Sequence, residues 1–186
     1  MKLVILDRDG VINEDSDHYI KSLAEWQAIP GSIEAIARLS RAGHTVAIAT
    51  NQSGIGRGLF DYDALLALHA NLQRSVQALG GHIELIEFCP EVPEGASEMR
   101  KPGPGMLLDL ARRLGTSMAG VPFVGDTWSD VQAARAAGAY PVLLRSGKGL
   151  RTLDKHDVTG IDLYDDLAAF AEAWLRQSAD QRPHTA

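Results

Sequence analysis

The sequence contains a single cysteine, Cys89. That excludes an intramolecular disulfide, and it excludes any zinc site built on two or more thiolates of this chain. Basic charge is also scarce: 18 Lys and Arg stand against 24 Asp and Glu, a formal net charge of −6. Neutralising a nucleic-acid backbone or an anionic membrane takes a basic face, so neither partner is expected. A small anionic ligand needs only a few local cations and stays open. Long apolar runs are missing too. The run Leu3-Val4-Ile5-Leu6 meets Asp7 at once, too short for a signal-peptide core. No stretch approaches the roughly 20 apolar residues of a membrane span. The expectation is a soluble cytoplasmic protein, a monomer by default. What is present is 45% apolar and 23% charged residues over 186 positions, enough to bury a core without staples. One domain is expected over residues 1–176, with a polar, flexible tail from Gln177 to Ala186.

Strand and helix signals alternate. Lys2–Leu6, Thr45–Ala49, His82–Phe88, Val121–Val124 and Tyr140–Leu144 read as short buried strands. Between them lie helical patterns: residues 31–42, a segment capped by Asp61 and ended by Gly80-Gly81, Met106–Leu114, and Ser129–Ala137 stopped by Gly138. Leu163, Leu167, Phe170, Ala171 and Trp174 form the stripe of a final helix. The expected fold is α/β: a Rossmann-like three-layer sandwich with a central parallel sheet covered on both faces. In such sheets ligands bind beyond the carboxyl ends of the strands, so the polar residues just after each strand are the candidates.

Asp7 and Asp9 lie two apart where the first strand runs out, so the pleat turns both to one side. Two carboxylates held together need a cation or a proton, which suits a nucleophile beside a general acid/base. A solvated turn is the plain alternative. Thr50 ends the second strand, and the backbone donors of Asn51, Gln52 and Ser53 could hold phosphate oxygens. Arg57 in the following Gly-rich stretch adds a cation, although most such stretches are simple connections. Arg100-Lys101-Pro102 puts two cations before a helix, solvated unless an anion sits there. Asp126, after the fourth strand, is either a cap or a partner of Asp7 around Mg²⁺, with Asp130 one turn on in support.

In this order, Asp7-Arg8-Asp9-Gly10-Val11, Thr50, Lys101 and Gly125-Asp126 through Asp130 resemble the haloacid dehalogenase superfamily of phosphohydrolases. A finer match is carried by Leu6–Asn13, Thr50–Gly58 and Arg100–Met106. These look like the D-glycero-D-manno-heptose 1,7-bisphosphate 7-phosphatases, relatives of the histidinol-phosphate phosphatases. The resemblance implies a Mg²⁺-dependent phosphatase for a small sugar bisphosphate, serving ADP-heptose and lipopolysaccharide core synthesis, with a lean towards the β anomer. It implies Asp7 as nucleophile, Asp9 as acid and base, Thr50 and Lys101 on the phosphoryl oxygens, and Mg²⁺ on Asp7, the Asp9 carbonyl and Asp126. It also places Asp15, Ser16, His18 and Tyr19 at the sugar and Arg100 on the second phosphate. Asn51, Gln52, Ser53, Arg57 and Thr127 complete the substrate side. Neither the stretch from Asn13 to Ile33 nor that after Arg57 can hold a large cap domain, so none is expected. Relatives carry Cys-x-His and Cys-x-Cys pairs in the loop that here begins Phe88-Cys89-Pro90; only Cys89 remains, so structural zinc is not expected. Histidinol phosphate or another phosphomonoester as substrate, or a non-catalytic binder of the same fold, are the alternatives.

Overall fold

The structure, a computed structural model, describes residues 2–180. Six strands form one parallel sheet: β1 (Lys2–Leu6), β2 (His44–Asn51), β3 (Leu85–Cys89), β4 (Pro122–Gly125), β5 (Tyr140–Leu144) and β6 (Asp162–Tyr164), in the order β3-β2-β1-β4-β5-β6. Seven helices connect and cover them: α1 (Ser32–Arg41), α2 (Ser53–Gly56), α3 (Tyr62–Ala78), α4 (Gly105–Leu114), α5 (Trp128–Ala137), α6 (Gly149–Lys155) and α7 (Leu167–Asp180).

The central strands show why both faces must be covered. Val4 and Leu6 of β1 pack with Val46 and Ile48 of β2 into one core, which takes in Ile36 and Leu39 of α1, Leu72 of α3 and Phe170 of α7. Leu3 and Ile5 point the other way and join Ala47, Ala49, Met106, Leu110, Phe123 and Ala133, the core under α4 and α5. The period-two pleat thus feeds two apolar layers, as a buried parallel sheet requires.

The helix capped by Asp61 is present, its carboxylate accepting from Ala64 N at 2.9 Å. Some expectations need correction. Leu163 lies in β6, not in the final helix, which starts at Leu167. The third strand starts at Leu85 rather than His82. The final helix continues to Asp180, past the Gln177 boundary; the rest of the expected tail lies outside the described residues. No element large enough for a cap interrupts the sheet after β1 or β2: residues 7–31 make only isolated bridges, and α2 has four residues.

The chain runs β1 to β3 outwards on one side, then crosses to β4 on the other. The topological switch therefore falls between β1 and β4, the place where such sheets open a crevice.

Candidate active site

Asp7 follows β1 and Asp126 follows β4, the two strands that flank the switch point. Asp7 N donates to Val124 O at 2.8 Å, continuing the β1–β4 ladder one step and fixing where the Asp7 side chain begins. A cleft of about 300 Å³ opens there, bordered by Asp7, Asp9, Thr50, Lys101 and Asp126. Four of the five are buried; Asp9 keeps partial exposure.

Lys101 is 3% exposed, and its ammonium reaches Asp7 Oδ1 at 2.9 Å, Asp130 Oδ1 at 2.7 Å and Ala49 O at 3.0 Å. Burial works against its charge, but Asp130 and Asp7 outweigh that and raise its pKa. Asn51 fixes the Lys101 backbone from both sides, donating to Lys101 O at 3.0 Å and accepting from Lys101 N at 3.1 Å. A solvated lysine is therefore excluded.

Asp9 is gripped on both oxygens. Arg8 donates to Oδ1 at 2.8 Å and Oδ2 at 3.0 Å, Asn13 Nδ2 to Oδ1 at 2.8 Å, and Gln52 Nε2 to Oδ2 at 2.8 Å. The same Gln52 nitrogen donates to Thr50 Oγ1 at 3.0 Å. Burial raises the Asp9 pKa, yet the Arg8 charge and these hydrogen bonds prevail and hold it below the ordinary value. Asp7 behaves oppositely. Burial, helped by Asp130 and Asp9, pushes it up to about 7 in spite of Lys101. Asp126 is raised well above its ordinary value by burial, Asp130 and Asp7.

Asp7, Asp126 and Asp130 bring ligand oxygens within 4.8 Å of one another. Lys101 pairs with two of these buried carboxylates, Asp7 and Asp130, and Asp126 has no ion-pair partner among the described residues, which leaves negative charge without a counterion. Asp126 Oδ2 accepts from Lys148 N at 2.7 Å, while the buried Oδ1 has no hydrogen-bond partner. An all-oxygen donor set with an orphaned buried carboxylate oxygen fits a hard divalent cation such as Mg²⁺. Asp130 has other work as well. Its Oδ2 accepts from Thr127 N at 3.0 Å and Thr127 Oγ1 at 2.6 Å, a capping box at the start of α5. One carboxylate thus caps the helix with one oxygen and meets Lys101 with the other.

Gly10 closes the corner. Its φ is +81°, and a Cβ there would lie 2.2 Å from Asp126 Oδ2. A side chain at position 10 would collide with the carboxylate that the corner needs.

Of the other residues expected at the substrate, Asp15, Ser16, Tyr19, Asn51, Gln52, Ser53, Arg100 and Thr127 border the cleft. His18 and Arg57 do not; both are exposed outside it. The amides of Asn51 and Gln52 are spent on Lys101, Asp9 and Thr50, so these two hold the machinery in shape. Sequence reading missed Asp17, Ser129 and Lys148, which also border the cleft. No motif surrounds Lys148, so only the fold brings it there.

In the loop after β3, the Glu91 carboxylate accepts from Ser97 N at 2.7 Å and Ser97 Oγ at 2.9 Å, and Arg100 donates to Glu91 O at 2.7 Å. Among the described residues, Cys89 belongs to no group of three or more potential ligands.

A family model described as HAD-hydrolase-like matches residues 98–170. The D-glycero-beta-D-manno-heptose-1,7-bisphosphate 7-phosphatase of Pseudomonas aeruginosa is 55% identical over 174 residues, covering 94% of this chain and 98% of its own. The chain belongs to the D-glycero-β-D-manno-heptose-1,7-bisphosphate 7-phosphatase family. Its family counterpart in Neisseria meningitidis serogroup A is 43% identical, over 96% of this chain and 97% of its own. A crystal structure of D,D-heptose 1,7-bisphosphate phosphatase from B. bronchiseptica, complexed with magnesium and phosphate, superposes with a TM-score of 0.93. That protein is 49% identical, over 95% of this chain and 99% of the other. Among the described residues, no helix is long and apolar enough to cross a membrane.

Proposed function

We propose that this phosphatase removes the 7-phosphate of D-glycero-β-D-manno-heptose 1,7-bisphosphate, with Asp7 as nucleophile, Asp9 as general acid and base, and Mg²⁺ as cofactor. The step belongs to the synthesis of ADP-heptose. One observation supports the reading above others: Asp7 and Asp126 converge with Lys101 in a single cleft at the switch point, in a chain whose relatives bear that activity in their names.

The roles follow from the contacts. Asp7 Oδ1 accepts from Lys101 and from Arg8 N at 2.7 Å, which leaves Oδ2 as the oxygen to attack phosphorus. Attack forms the Oδ2–P bond and breaks the bond from phosphorus to the sugar oxygen, and Asp9 gives that oxygen its proton. In the second half Asp9 takes a proton from water, the water oxygen bonds phosphorus, and the Asp7 carboxylate is released. Thr50 Oγ1 and the Lys101 ammonium face the transferring phosphoryl oxygens and stabilise charge there. Asp7, Asp126 and the Asp9 main-chain carbonyl would hold the cation. When bound, Mg²⁺ supplies positive charge against the phosphate and reduces repulsion between it and the carboxylates. Arg100, free of a carboxylate partner among the described residues, serves the second phosphate, an anion that its fork suits.

The test is a comparison of kcat/KM with Mg²⁺ for the α and β heptose bisphosphates, histidinol phosphate and simple sugar phosphates. The β heptose bisphosphate is expected to lead, with the 1-phosphate retained in the product. A clear preference for another phosphomonoester contradicts the substrate assignment.

A further inference from the structure

The segment that runs from β5 into α6 carries no motif, yet it stitches the site together. Ser146 Oγ donates to Gly10 O at 2.7 Å, Lys148 N to Asp126 Oδ2 at 2.7 Å, and Thr152 Oγ1 to Asp126 O at 2.9 Å. Gly147 lets this backbone lie against the corner: a Cβ on it would sit 2.3 Å from Asp126 Oδ2 and 2.4 Å from Gly10 Cα. The Lys148 side chain goes the other way along the cleft. Its Nζ lies 2.7 Å from Asp15 Oδ2 and 3.5 Å from Asp17 Oδ1.

We propose that Lys148 is a positioning residue that holds the Asp15 carboxylate for the sugar with its ammonium while holding the Asp126 carboxylate for the phosphoryl centre with its backbone N–H. The inference rests on the reading under Proposed function and deepens it by naming what fixes sugar recognition to the reacting end. Two observations separate this pair from an ordinary surface ion pair, which contributes little. The Asp15 side chain is only 17% exposed, and both partners border the cleft. By contrast, Arg151 and Asp17 stand 3.5 Å apart at 66% and 63% exposure, on the rim.

The charges decide which part of the substrate belongs here. Lys148 faces two carboxylates, so a second phosphate placed on it would meet Asp15 and Asp17 as well. Arg100 makes no ion pair with a carboxylate among the described residues, and its guanidinium donates to Glu91 O. Phosphate therefore goes to Arg100, and sugar hydroxyls go to the Asp15 carboxylate that Lys148 holds. There a carboxylate oxygen accepts from a hydroxyl.

The experiment uses the Mg²⁺-loaded enzyme with the heptose bisphosphate and with p-nitrophenyl phosphate, which has no sugar hydroxyls. Lys148→Met is expected to raise KM for the bisphosphate by about tenfold and lower kcat less than threefold, a loss of binding shared by ground and transition states. Its loss on p-nitrophenyl phosphate is expected to be smaller, and Lys148→Arg to restore most of the bisphosphate KM. Asp15→Asn and Lys148→Met together are expected to cost less than the product of their separate factors, because they break one pair. Mn²⁺ affinity, titrated by electron paramagnetic resonance, is expected to stay within about threefold in Lys148→Met, because the N–H that holds Asp126 is still there. A bisphosphate KM within twofold of wild type, an equal loss on both substrates, or multiplicative variants would overturn the inference. If the wild type prefers a different sugar phosphate, the substrate reading falls by itself. The same variants, assayed on that sugar phosphate, then support or overturn the role of Lys148 by the same criteria.

Discussion

The two aspartates of the Asp7-Arg8-Asp9 triplet are neighbours with opposite electrostatics. Asp7 is buried among carboxylates and pushed up to about 7; Asp9 is wrapped by Arg8, Asn13 and Gln52 and held low. The difference comes from who donates to each, not from distance along the chain. In the proposed mechanism Asp9 starts as a carboxylate in the free site and gains its proton when a phosphate dianion arrives. An acid/base group of this kind contributes about 10²–10⁴ in rate. Asp9→Ala is expected to lower kcat by that range while leaving the far-ultraviolet circular dichroism unchanged; kcat within tenfold of wild type contradicts the role. At this scale the sequence was highly legible. Asp7, Asp9, Lys101 and Asp126 each abut a strand end or a Pro-Gly turn, so pattern made them candidates, and the family resemblance set them apart from a solvated turn, solvated cations or a helix cap. Arg8 was not read as functional, because a residue at the middle of a turn says nothing of where its side chain goes. It is 1% exposed and spends its guanidinium on Asp9.

Helix α3 contributes more to the site than its distance in sequence implies. His69 on its buried face stands with Nε2 3.4 Å from Arg8 Nη1, and its ring meets Phe88 edge-on at 6.0 Å. Burial, then the Arg8 charge, lowers its pKa to about 4, against a small opposing pull from Asp9. The folded value is below the unfolded one, so the stability it carries is complete above about pH 6.5 and is lost as pH falls towards 4. The shift corresponds to roughly 3 kcal/mol at most. His69→Gln keeps an acceptor for Arg8 and removes the titration. Urea unfolding is expected to show little change at pH 7 and a shallower loss of stability between pH 6.5 and 4; an unchanged acid slope contradicts the assignment. Elements that are short or polar were the ones sequence reading lost. Helix α2 has four residues, α6 has seven, and β6 has three, too few for a period to show. With α6 went Lys148 and Thr152, whose contacts with Asp126 only the folded chain reveals.

Across the whole molecule, the strand order puts the ends of β1 and β4 side by side, which is why residues 7 and 126 can share a cation. The cost is a buried acidic cluster. Asp7 and Asp126 have folded pKa values above their unfolded ones, so their contribution to stability is present at acid pH and is lost as pH rises through the folded values. A divalent cation reverses that penalty, since binding displaces the protons. Saturating Mg²⁺ is expected to raise Tm more at pH 8 than at pH 5.5, with a gain near 2.7 kcal/mol at a hundred times the dissociation constant. A Mg²⁺-induced shift independent of pH contradicts the cluster as the binding site. The alternation of strands and helices was enough to read this fold class. The β1–β4 adjacency was not in the pattern itself, because strand order depends on crossovers that no local signal records.

The most direct measurement is phosphate release from the heptose bisphosphate by wild type and Asp7→Asn, side by side with Mg²⁺. Wild type is predicted to turn over. Asp7→Asn is predicted to lose more than about a thousandfold in kcat while unfolding as cooperatively as wild type. Turnover by folded Asp7→Asn within tenfold of wild type would contradict the assignment of that carboxylate as the group that takes the phosphoryl from the sugar.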